Sequence, residues 1–241
     1  MPAKEATIRQ VRGALENEPR INLHRYPIKV GVAGDVVVLE GDVESLAAKK
    51  LALELAAAAE GIRGVVDRLR VAVAERRGDG AIRDALCAVL LRAPELQACT
   101  VRAAAKGRVE TLRDAGDGRG GEIEVAVADG VITLEGTVIS LSHKRVAGVL
   151  AWWTPGCRDV VNSLAVVPAE EDSDAEVVEA LRLVLEMDPR VPGDQITASC
   201  RNFVVTLDGC VGTEGERRQA ERDAWALFAV DKVINRITLG A

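Results

Sequence analysis

Residues able to do chemistry are few in this chain, and their spacing argues against a catalytic centre. There are two histidines, His24 and His143, and neither has a serine or cysteine partner in a recognisable nucleophile setting. The five cysteines, Cys87, Cys99, Cys157, Cys200 and Cys210, show no C-x-x-C spacing, so reduced thiols are expected in place of a disulfide framework. A literal G-x-G-x-x-G occurs at Gly116, Gly118 and Gly121. A β-like run follows it where a dinucleotide site needs a helix, so it reads as a flexible connector. Glu40, Glu135 and Asp208 recur at one repeat position, but one carboxylate per copy on an outward strand face supplies too few oxygens for a cation cage. No metal and no cofactor are therefore expected.

Two other sets of residues suggest surface contact. The basic doublets Lys49-Lys50, Lys144-Arg145 and Arg217-Arg218 fall at the same offset early in a helix, where the plain reading is a solvated helix face and the alternative, since cations there oppose the macrodipole, is a purpose beyond the helix itself. Anionic headgroups would be one such purpose, each basic residue near an anionic surface contributing about 1 kcal/mol. Trp152, Trp153 and Trp225 stand out because aromatic residues make up only 2% of the chain. An indole, apolar with one polar N–H, suits a lipid or protein interface, or the packing of one copy against another.

The elements that position these residues come from one module used three times. The stretch DVVVLEGDV at Asp35–Val43 returns as GVITLEGTV at Gly130–Val138 and FVVTLDGCV at Phe203–Val211. Alternation within it puts Val37 and Leu39, Ile132 and Leu134, and Val205 and Leu207 on one strand face, with the carboxylates on the other. Aligned on the glycines Gly41, Gly136 and Gly209, the copies place Ser45, Ser140 and Thr213 where a helix N-cap belongs, and Thr213 with Glu216 has capping-box spacing. Ser173 with Glu176 repeats that spacing at the start of the third copy. The pairs Ala52/Ala56, Ala147/Ala151 and Ala220/Ala224 lie four apart on one helical face. A strand follows at Val65–Asp67, Val160–Asn162 and Val233–Asn235.

Each copy opens with a helix halted by proline. The apolar stripes are Ile8, Val11 and Leu15 before Pro19, Ile82, Leu86 and Val89 before Pro94, and Val178, Leu181 and Leu185 before Pro189. A short strand then turns through Gly34-Asp35, Asp129-Gly130 or Arg201-Asn202 into the recurring strand. The order helix, strand, strand, helix, strand predicts an α+β fold of three tandem αββαβ modules, each a small sheet with two helices on one face. The expected spans are 1–75, 79–168 and 172–241, the second carrying a hairpin and glycine-rich insertion near 97–121.

These phrases resemble the BON domain family of osmotically inducible and nodulation proteins, most closely in GVITLEGTV and AWWTPGCRDVVN of the second copy. The third copy departs from the pattern with Phe203 and Ala229 at two glycine positions. The resemblance implies an αββαβ fold, no enzymatic chemistry, and binding to phospholipid surfaces or envelope components under osmotic or other stress. Many members are periplasmic.

Net charge is −6, which argues against nucleic acid as a partner. The apolar runs are too short for a transmembrane segment. The opening MPAKEATIRQVRGAL lacks the apolar region of a secretory signal, so a cytoplasmic, peripherally membrane-associated location is expected. The expected partner is an anionic phospholipid surface or a membrane-associated protein, bound through the doublets and tryptophans. A soluble protein scaffold, self-association, and a small-ligand or monovalent-cation sensor are the alternatives.

Overall fold

The computed structural model describes residues 2–116 and 119–240; Gly118 of the glycine pattern lies outside them. The first copy comprises α1 (Pro2–Asn17), β1 (Lys29–Ala33), β2 (Val36–Val43), α2 (Leu46–Ala57) and β3 (Gly64–Val71). The second comprises α3 (Asp79–Leu90), β4 (Thr100–Ala105), β5 (Arg108–Arg113), β6 (Gly121–Ala128), β7 (Val131–Val138), α4 (Leu141–Trp153), β8 (Asp159–Asn162) and β9 (Ala165–Val166). The third comprises α5 (Asp174–Met187), β10 (Ile196–Arg201), β11 (Val204–Val211), α6 (Glu214–Ala226), β12 (Lys232–Asn235) and β13 (Thr238–Leu239).

In each copy the first two repeat strands form an antiparallel hairpin, and the strand after the second helix returns parallel to the central one. The sheets run β1-β2-β3, β5-β4-β6-β7-β8 and β10-β11-β12, with β9 and β13 as short additions on β7 and β11. The period of two holds throughout. Val37 and Leu39, Ile132 and Leu134, and Val205 and Leu207 are all 0% exposed, while Glu40, Glu135 and Asp208 face water. All six paired helical alanines are fully buried, which lets α2, α4 and α6 lie close on the sheet. Met1–Ala74 make one compact unit, and Glu75–Ala241, holding the second and third copies, make another.

Capping fixes where the helices begin. Ser45, Ser140, Ser173 and Thr213 each accept a backbone N–H three residues on. The reciprocal bond of a capping box forms at Thr213/Glu216, and Ser173 makes its own half. Two apolar stripes are rotated from the expected ones. On α5 the buried line is Val177, Leu181 and Val184, with Val178 only half-buried. On α3 Cys87 and Leu90 go inside, and Val89 stays 41% exposed.

The third hairpin turns at Asn202-Phe203, one residue later than the spacing suggests, and both residues have positive φ, 50° and 59°. Glycine is absent there, so the strain is offset by a carboxylate: Asp174 accepts both turn N–H groups, each at 2.9 Å. Those bonds, with one from Cys200 Sγ–H, hold the Asp174 carboxyl below the usual range. Asp79 does the same for Asp129-Gly130 in the second copy.

The recurring glycines bring the hairpin strands closer than any side chain permits. A Cβ on Gly209, at φ 147°, would lie 2.2 Å from the Gln195 carbonyl oxygen, and one on Gly136 would lie 2.2 Å from that of Glu122. Ala229 is the opposite case, holding φ 61° where the sister copies have Gly61 and Gly156. Gly209→Ala is expected to destabilise the third copy by more than about 2 kcal/mol, and Ala229→Gly to stabilise it by about 0.5–1 kcal/mol, in urea unfolding curves.

Candidate functional site

The basic doublets do not share an environment. Lys49 is buried against β3, its ammonium donating 2.9 Å to the Leu69 carbonyl and pairing at 2.8 Å with Asp67. Its sister positions explain why. Where the first copy has Asp67, the others have Asn162 and Asn235, whose amides donate to the carbonyls of Lys144 and Arg217 across the same gap. An amide tethers strand to helix by itself, whereas a carboxylate needs a cation. Lys49 is that cation, and it is unavailable to a membrane.

Arg145 is fully buried at 0% exposure, which also removes it from the expected contact surface. Its Nη2 donates to Asp172, and its guanidinium lies 4.5 Å from the centroid of Phe228, a third-copy ring. Nε and Nη1 make no hydrogen bond among the described residues, so the aromatic face takes the place of polar partners. Lys144 is half-buried, 5.3 Å from the same ring. Arg217 and Arg218 both pair with Glu214, at 3.1 and 2.8 Å. Lys50 is half-buried. Of the six doublet cations, Lys49 and Arg145 are thus held inside their own units.

The tryptophans divide as well. Trp225 is a core residue at 2% exposure, so it is no anchor, while its counterpart Trp152 is half-buried. Trp153 sits where α4 of the second copy meets α5 and α6 of the third, donating its Nε1–H 3.0 Å to Asp223 with Arg190 5.9 Å from its ring centroid. Beside it an open cleft of about 540 Å³ is lined by Val89, Pro94, Leu150, Trp153, Met187 and others, which accounts for the exposure of Val89.

That junction holds a pair of buried carboxyls whose acidities are pushed apart. Asp188 and Asp223 are both buried and near enough for the charge of one to act on the other. Gln219 donates 2.8 Å to Asp223 and in turn accepts from Arg222. Burial first, and then the charge of Asp188, push the Asp223 carboxyl up to about 7. For Asp188 burial also opposes ionisation, but hydrogen bonds from the Arg190 guanidinium and backbone outweigh it and hold the group low. The sequence reading missed this cluster. Its signal is that Leu51 and Val146 become Gln219, and Leu55 and Leu150 become Asp223, at equivalent helix positions.

The remaining reactive types are quiet. Burial raises the Cys87 thiol to about 11 and that of Cys200 to about 12, so neither supplies a thiolate nucleophile near neutral pH. His143 is half-buried at the α4 N-terminus, 2.6 Å from the Ser140 hydroxyl, and its burial lowers its basicity. Among the described residues no group of three or more His, Cys, Asp or Glu could hold a metal ion.

The BON domain profile matches residues 4–73, 108–168 and 173–241, and the chain belongs to the BON domain family, a family of non-catalytic binding modules. Among curated proteins none matches. Two solved structures of CdsD, a structural protein of the type III secretion system of Chlamydia trachomatis, are similar over nearly the whole chain. One, its C-terminal domain, is 13% identical with a TM-score of 0.26, covering 97% of both chains. The other is 14% identical with a TM-score of 0.25, covering 98% of this chain and 92% of that one. At those scores the likeness carries no functional weight.

The acid pair makes stability depend on pH with a definite sign. Asp223 rises from an ordinary 3.8 to about 7 on folding, so its contribution is complete below about pH 4 and is lost as pH rises through about 7. Asp188 runs the other way, its contribution being lost on acidification below about pH 4. Thermal melts between about pH 5 and about pH 8 should therefore show the second unit losing stability, by roughly 3 kcal/mol at most. Asp223→Asn should flatten that slope, and equal slopes in the two proteins would count against the assignment.

Proposed function

We propose that this BON-domain chain is a non-catalytic binding protein that docks, in the cytoplasm, onto membrane-associated protein partners during osmotic or other stress. The family supports binding at membranes in general. The observation that carries the choice of a protein partner over bare lipid is the internal use of the basic doublets. Lys49 and Arg145 are inside the fold, and the half-buried Arg217 is paired with Glu214. Lys50, Lys144 and Arg218 remain near the surface. At about 1 kcal/mol each they supply about 3 kcal/mol, weaker than a millimolar affinity. A net charge of −6 reduces this further.

Protein partners face no such ceiling, because repeated modules convert weak single contacts into avidity when the geometry permits simultaneous engagement. Anionic phospholipid is the second reading, favoured by those three remaining cations. No helix among the described residues is long and apolar enough to cross a membrane, so either association would be peripheral.

Flotation separates the two readings. The chain should float with native membranes, lose that association when the membranes are stripped with protease beforehand, and bind protein-free anionic vesicles no better than neutral ones at physiological salt. Salt-sensitive flotation with protein-free anionic vesicles would return the function to lipid.

A further inference from the structure

The hairpin peculiar to the second copy extends its sheet on one side. β4 lies parallel to β6, and among the described residues β5 pairs only with β4, leaving β5 as an open edge. Its residues Arg108 to Leu112 are all exposed, with Val109 at 52%. The strand is nevertheless held firmly at its end, where the Arg113 guanidinium donates to the carbonyls of Cys99, Leu91 and Leu96.

The turn determines which backbone groups point outward. Lys106 and Gly107 have φ of 50° and 76°, the two-residue turn with both central residues left-handed, which closes on a hydrogen-bonded pair. That pair is Ala105 with Arg108. Alternation then turns the N–H and C=O of Arg108 and Glu110 toward β4, and those of Val109 and Thr111 toward open solvent.

From this pattern we infer that β5 is a self-pairing edge: two copies of the chain join antiparallel through it, centred on Val109 opposite Val109 of the second copy. The register follows from charge. Centring on Val109 lets the two valines exchange both hydrogen bonds and sets Arg108 opposite Glu110 of the second copy, twice by symmetry. Sliding so that Val109 meets Thr111 puts Glu110 against Glu110. Centring on Thr111 sets Glu110 opposite Leu112 and leaves it no cation. Arg108 and Glu110 lie on one strand face and neither has an ion-pair partner among the described residues, so both charges are available. Opposite charges directly across a strand pair attract and like charges repel. The resulting contact is short and reversible, a two-fold junction of two sheets.

Sedimentation velocity on the full chain, at concentrations up to about 1 mM, tests this. A monomer–dimer equilibrium is expected. Arg108→Glu should weaken it about tenfold or more by turning two attractions into repulsions. Arg108→Glu with Glu110→Arg should restore it. Val109→Pro removes an outward N–H that β4 does not use, and should abolish dimers while leaving the circular dichroism melt in place. A chain that stays monomeric throughout, or a dimer indifferent to these changes, would overturn the proposal.

Discussion

A guanidinium taken wholly out of water has to be answered where it lies, and Arg145 sets that condition for the second unit. Its sister residues are the half-buried Lys50 and the exposed Arg218, so burial is not a property of the module. It arises because the third copy covers α4. Desolvating a charge costs several kcal/mol unless paired, and the covering copy brings the answer with it. Asp172, just before α5, takes one nitrogen, and Phe228, just after α6, lays its ring over the rest. The two groups come from segments flanking different helices, the lead into α5 and the exit from α6, which meet beside the Phe203 turn. Satisfying one cation therefore constrains the placement of both helices.

The same logic orders the neighbouring contacts. Phe228 precedes Ala229, whose left-handed backbone turns the chain from α6 into β12. Trp153, at the end of α4, reaches Asp223 on α6, and Asp223 faces Asp188 at the end of α5. The junction is thus polar at both ends of α4, with a cation at one and a carboxyl of weakened acidity at the other. Polar junctions of this kind specify arrangement more than they add stability. An arrangement fixed in this way gives the unit a defined surface, which a binding module needs more than it needs catalytic groups.

The module itself was legible because its signals are local. Alternation along the recurring strand, hydroxyl caps at Ser45, Ser140 and Thr213, and alanines four apart each depend on one element and its immediate neighbour. The fates of equivalent charged residues were not legible, because they depend on what lies across a gap. Lys49 is buried by an aspartate where the sister copies have asparagine, and Arg145 by a whole neighbouring copy. Trp225 entered the core while its counterpart Trp152 remained half-buried. The carboxyl at Asp223 left a trace, since an acid stands where two sister copies have leucine. That trace is a difference between copies at a core position, so it stands outside the pattern they share.

The central claim is that the second and third copies are one cooperative body joined through Arg145 and Trp153. Native-state hydrogen exchange measures this most directly, because amides that open together share one free energy. The slowest amides of β6, β7 and β8 should converge with those of β10, β11 and β12 on a single opening free energy as denaturant rises. Two separate values, with the second copy's strands opening independently of the third's, would contradict it.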